Sequence, residues 1–133
     1  MSVINHDNIQ ELANRLHLQL HHFAKGTWPE ADGSVAALPV NRFFMPTANG
    51  DGEYCYIDDG RTHLELRPGS AYFIPCYHKA AIKLSPGLQF LSIQFSLEFY
   101  EGIDLFSSLH MVLEFSGTAW PAKAEKAFQS HNF

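Results

Sequence analysis

GDGEYCYIDDGRTHLELRPGSAYFIPCYHKAAIKLSPGLQFLSIQFSLEF, residues 50–99, decides the fold. Asp59-Gly60, Pro68-Gly69 and Pro86-Gly87 cut it into short runs rich in Tyr, Phe, Ile and Leu. In the last run Leu91, Ile93, Phe95, Leu97 and Phe99 alternate with Ser92, Gln94, Ser96 and Glu98. Successive side chains of a strand point to opposite faces, so this alternation marks a strand with two unlike sides. Short strands at regular spacing between turn signals predict an antiparallel sandwich or barrel.

The same reading extends to both sides. Residues 54–57 and 62–67 form a hairpin closed by Asp58-Asp59-Gly60-Arg61, where Asp-Gly supplies the positive φ such a turn needs. Within its second strand Leu64 and Leu66 face one way, and His63 and Glu65 the other. Residues 70–75 and 79–84 supply two more strands. Upstream, residues 40–45 (VNRFFM) read as the first long strand, with Pro46 ending it or confining it to an edge. Residues 27–39 read as a loop punctuated by Pro29, Gly33 and Pro39, in which Trp28 is either a packing anchor or part of a lid over a cavity. Residues 7–25 read as a helix, with Ile9, Leu12, Ala13, Leu16, Leu20 and Phe23 on one stripe, Asp7 as N-cap and Gln10 completing a capping box. His17 and His21 then share its solvated face, with His22 beside them.

After Phe99 the pattern changes. Residues 100–110 read as an irregular connection or helical turn plugged by Ile103, Leu105 and Phe106. Residues 110–115 supply a final strand, and Pro121 opens a short terminal helix. The expected architecture is therefore all-β with a helix at each end, in one domain. Residues 1–39 hold the helix and loop, 40–116 the barrel and 117–133 the tail.

The totals narrow the function. The chain has 133 residues and a formal charge of −5, from 14 acidic and 9 basic residues. Its basic residues are scattered, which does not suit a phosphate backbone. Cys55 and Cys76 have no metal or redox spacing and read as small buried hydrophobes of a reducing cytoplasm. No apolar run approaches the ~18 residues of a membrane span, and residues 1–10 lack the features of a signal peptide. The expected location is the cytoplasm.

Catalytic patterns are absent from the sequence. Of the eight histidines, none is paired as HxH, and His63 points outward if Leu64 and Leu66 point inward. There is no nucleophile elbow or phosphate-cradling loop, and Asp58 and Asp59 belong to turn geometry. A ligand pocket asks for less: an apolar concavity with a few polar groups. Tyr54 and Tyr56 share a strand face and can line an interior. Arg42, His78 and Trp28 are further candidates. Gln94 joins them only if the cavity lies on the polar face of its strand, opposite the leucine–phenylalanine row.

The stretch from Arg42 to Phe106 resembles the N-terminal cupin-type sensor domain of AraC-family transcriptional regulators. The resemblance lies in RFF, GDGEYCYIDDG, LELRPGSAYFIPCYHKA and LSIQFSLEFYEGIDLF, centred on Pro68, Gly69, Ala71, Tyr72, Phe73, Ile74, Pro75 and His78. It implies a double-stranded β-helix (a jelly-roll barrel) that binds a small-molecule effector and dimerises. In that family DNA is contacted by a C-terminal pair of helix-turn-helix motifs, for which the tail after Phe115 leaves no room. Either the chain is the isolated sensor domain or it is a stand-alone cupin. The metal-binding cupin pattern is missing, so no cofactor is expected.

Three functions follow as expectations, the third being a carbohydrate-binding module without a regulatory role, against which the scattered charge and the missing secretion signal count. The first is non-catalytic: a sensing and dimerisation domain, for which the stripe of residues 7–25 and the tail around Phe128 are the candidate dimer surface, unless that helix packs on its own barrel instead. The second is a small metal-dependent cupin isomerase or dioxygenase acting on a sugar-like substrate. The two tyrosines suit a sugar, and equally a small aromatic acid.

Overall fold

A computed structural model describes Glu11 and residues 14–29, 32–50 and 55–116. Ten strands run through them: β1 (His17–Thr27), β2 (Asp32–Ala36), β3 (Asn41–Ala48), β4 (Tyr56–Asp58), β5 (His63–Glu65), β6 (Ser70–Ile74), β7 (Ala80–Leu84), β8 (Gln89–Tyr100), β9 (Ile103–Asp104) and β10 (Leu113–Ser116). They form two antiparallel sheets. The larger has the order β1-β8-β3-β6-β10, with β9 paired to β8, and the smaller has β2-β7-β4-β5. The all-β expectation holds.

Two upstream expectations do not. Residues 17–25, expected as the second half of a helix, lie in the strand β1, which pairs with β8 from His17↔Glu98 to Thr27↔Gln89. Helical geometry is confined to Glu11, Asn14 and Arg15 among the described residues. Leu16, Leu18 and Leu20 also fit a period of two, and long-range hydrogen bonding to β8 settles which period governs. Residues 27–39, expected as a loop, contain β2, which is fixed by pairing with β7 rather than by its own weak strand propensity. Asp7, Gln10, Tyr54, Pro121, Phe128 and the tail helix lie outside the described residues.

The hairpin and turns follow the sequence. Gly60, Gly69 and Gly87 hold φ of +88°, +93° and +85°, a left-handed region that costs glycine nothing. Asp58 and Asp59 accept the backbone N–H groups of Gly60, Arg61 and Thr62. Pro46 falls inside β3, yet there β3 is paired only to β8, since its pairing to β6 covers Arg42–Phe44. At Pro46 the strand is thus an edge toward β6, the kind of position a proline tolerates.

The core lies between the sheets. Tyr72 and Ile74 of β6 meet Ile57, Ala80 and Leu84 of the smaller sheet, with Phe44 and Ile82 beside them. Ladder partners share a face, so the pairs Phe44↔Ser92 and Arg42↔Gln94 place Ser92 and Gln94 on this inner side. The leucine–phenylalanine row of β8 faces the other way. Leu91 packs with Met45 and Ala71, and Phe73, Phe95 and Phe106 form an aromatic group, all on the outer face of the larger sheet. Phe106 is a plug, as expected. Ile103 and Leu105 are exposed instead, because the two-residue β9 leaves their side chains outside the aromatic group.

One buried polar network ties this outer face together. Asp104, 8% exposed, accepts Asn41 Nδ2 on both oxygens (3.1 and 3.0 Å), Leu97 N at 2.7 Å and Phe106 N at 2.8 Å. Asn41 Oδ1 in turn accepts Cys76 N at 2.9 Å. Burial, with Asp104 nearby, pushes the Cys76 thiol up to about 11, so it stays protonated and inert.

Candidate functional site

The ladder registers bring polar side chains from distant parts of the chain onto one rung. On the inner face of the larger sheet, His22 of β1 lies opposite Gln94 of β8, Gln94 opposite Arg42 of β3, and Arg42 opposite Ile74 of β6. The next rung is Ala24, Ser92, Phe44 and Tyr72. Apart from Tyr72, the residues of these rungs form one wall of a cavity of about 370 Å³. Ser34, Ala36, Ile82 and Leu84 of the smaller sheet form the opposite wall, and Trp28 and Phe90 also line it.

Trp28 is fixed by its own backbone. Its N–H donates to Leu88 O (2.7 Å) and its carbonyl accepts from Gly87 N (2.9 Å), which clamps the exit of β1 onto the Pro86-Gly87 turn. Its indole meets Phe90 edge-on at 5.5 Å, and Phe90 stacks on Phe44 at the same separation. Trp28 is thus both an anchor and part of the cavity wall.

Arg42 is the unusual member. It is only 8% exposed, and no ion pair reaches it among the described residues. Nη2 donates to the backbone carbonyls of Ala36 and His78, both at 3.3 Å, while Nε has no partner. Burial pulls its pKa below the ordinary value for arginine. A guanidinium removed from water without a counter-charge costs several kcal/mol, of order, and long bonds to two carbonyls return only part of that.

His78 stands beside this site rather than in it. Its Nε2 lies 2.9 Å from Asp59 Oδ2, with side-chain exposures of 14% and 2%. Burial alone raises the Asp59 pKa, but hydrogen bonds from His78, Thr62 and Arg61 outweigh it and bring it down to about 2. The pair pins the β4–β5 turn to the segment after β6. The imidazole is not part of the cavity wall, and only the His78 carbonyl reaches Arg42.

Tyr56 is on the wrong side for the interior it was expected to line. It shares a rung with Lys83 and Glu65, and its neighbour Ile57 takes the inward position at 1% exposure. Its ring lies 4.7 Å from that of His63, which is exposed as the hairpin pattern required. Of the six candidates, Arg42, Gln94 and Trp28 meet at the cavity, Tyr56 and His78 do not, and Tyr54 lies outside the described residues. His22, Ser34 and Ser92 were missed as lining residues. The alternation of β8 held the signal for Ser92, but His22 and Ser34 depended on strands whose pairing partners are far away in sequence.

No protein-family model matches the chain, and no curated protein matches it. Among the described residues, no three of His, Cys, Asp and Glu come together as a metal-binding group. No helix among them is long and apolar enough to cross a membrane.

Proposed function

We propose that the chain is a ligand-sensing and dimerisation domain of an AraC-type transcriptional regulator, built on a cupin-like double-stranded β-helix in the cytoplasm. The observation that carries this reading is the cavity between the sheets, apolar over most of its wall and crossed by one rung of polar side chains, His22, Gln94 and Arg42. That combination suits holding and orienting a small guest. The inward turn of the polar face of β8 supports it further, because a purely structural sandwich gains more by turning the Leu91–Phe99 row inward.

The action is binding without turnover. The more buried of the two histidine–carboxylate pairs among the described residues, His78 and Asp59, spends its carboxylate on two turn N–H groups and stands outside the cavity wall. A guest that binds one conformation better shifts the population toward it, by no more than the difference in affinity. DNA contact belongs to a helix-turn-helix region joined to such a domain, and the functional unit is a homodimer.

The test is sedimentation of the chain with and without a panel of sugars and small organic acids, with binding followed by calorimetry. A dimer whose equilibrium moves with one compound is expected. A strict monomer at high concentration removes the dimerisation half of the proposal, and a cavity that takes no compound removes the sensing half.

A further inference from the structure

The buried side-chain nitrogen and oxygen atoms of the described residues that lack a hydrogen-bond partner are two, Trp28 Nε1 and Arg42 Nε. They belong to residues that line one and the same cavity. Both are donors, and neither side chain has any acceptor to offer. Native proteins rarely leave buried donors unpaired; neither atom is open to water, so an acceptor placed in the cavity reaches them only if the wall adjusts around it. One of the two sits on a cation. A neutral hydroxyl satisfies a donor but leaves the buried charge of Arg42 uncompensated, whereas an anion does both.

The shape of the anion follows from the rest of the wall. Beyond the His22–Gln94–Arg42 rung, Ser34 and Ser92 are the only other polar side chains of a wall that includes Trp28, Phe44, Phe90, Ile74 and Ile82, and this mostly apolar, aromatic lining favours an apolar, flat body over a polyol. The volume, about 370 Å³, is near the small end of the range of about 300–1,000 Å³ for small-molecule sites. A doubly charged phosphate brings more charge than one guanidinium balances in an apolar site. From these observations we infer that the ligand of this cavity is a small monocarboxylic acid with an apolar, single-ring-sized body, its carboxylate held by the Arg42 guanidinium and oriented by Gln94. The planar fork of arginine suits a carboxylate edge, and lysine at the same place offers only a point charge. This rests on the sensing proposal and narrows it to one ligand class.

The decisive comparison is between acids and their isosteric neutral amides. Benzoate, benzamide, hexanoate, hexanamide and glucose are titrated by calorimetry into the full chain, into Arg42→Gln and into Ile82→Trp, which fills the cavity and leaves Arg42 in place. An acid is expected to bind at least about tenfold tighter than its amide, as a charged hydrogen bond in a dry site implies. Arg42→Gln erases that preference, and Ile82→Trp abolishes binding altogether. If Arg42→Gln does not fold, the acid-to-amide ratio on the unaltered chain still decides. Amides or glucose binding as tightly as the acids, with Ile82→Trp blocking them, overturns the acid inference and leaves the sensing reading standing. Silence from all five probes overturns both.

Discussion

Asn41 and Arg42 are neighbours on one strand and face opposite sides of one sheet. Asn41 turns outward into a network in which every side-chain polar atom has a partner: Asp104 takes its amide hydrogens and Cys76 supplies a donor to its oxygen. Arg42 turns inward, with two long bonds to carbonyls and one nitrogen without a partner. Both are buried, so the difference is one of completeness. A closed network specifies a structure, whereas an incomplete one beside a cavity is what the proposed binding site requires.

The comparison can be broken by substitution. The largest effect is expected on the closed side. Asp104→Ala strips partners from Asn41 and from the Leu97 and Phe106 N–H groups, and should lower unfolding stability by about 3–5 kcal/mol in urea titrations. A cost below about 1 kcal/mol would put the network at the same level as an exposed polar contact.

The next effect concerns Asp59, bonded to His78, whose backbone carbonyl accepts from Arg42. Asp59→Asn should cost about 2 kcal/mol at neutral pH, because two N–H groups and an imidazole lose a charged acceptor. The folded-state pKa of Asp59 is depressed, from 3.8 to about 2. Its contribution is therefore full above about pH 4 and is lost as pH falls toward about 2. Denaturation of both proteins across that window should show their difference closing as acid is added. A difference that stays constant with pH would show that the ionised carboxylate is not what stabilises the turn.

The smallest effect, and one of opposite sign, is expected at Arg42. Arg42→Met removes an unbalanced charge and keeps most of the volume, so stability should be unchanged or rise by up to about 2 kcal/mol. Thermal unfolding measures it. A loss comparable to that of Asp104→Ala would place Arg42 among the structural groups and end the contrast with Asn41.

How much of this was legible depended on the range of the interactions. The hairpin at Asp59-Gly60, the orientation of His63 and Leu64, and the alternation of β8 are local, and they read correctly. Which face of β8 turns inward is not local. It is set by Arg42↔Gln94 and Phe44↔Ser92, pairings that no periodicity reveals. Arg42, Gln94 and Trp28 could be named as candidates from residue type. Their meeting, and the replacement of Tyr56 by His22 and Ser34, depended on β1 and β2, whose own sequences point to a helix and a loop.

The pairing of β1 with β8 also sets an order of events. His17 finds its partner at Glu98, about 80 residues further along the chain, and contacts so distant in sequence form late. During synthesis residues 17–27 emerge long before β8 exists, with their leucines and histidines unpaired. In that interval only local preference acts on them, and the local preference of this stretch is helical. The helix that the sequence suggests and the strand that the fold contains can both be true of the same residues at different times.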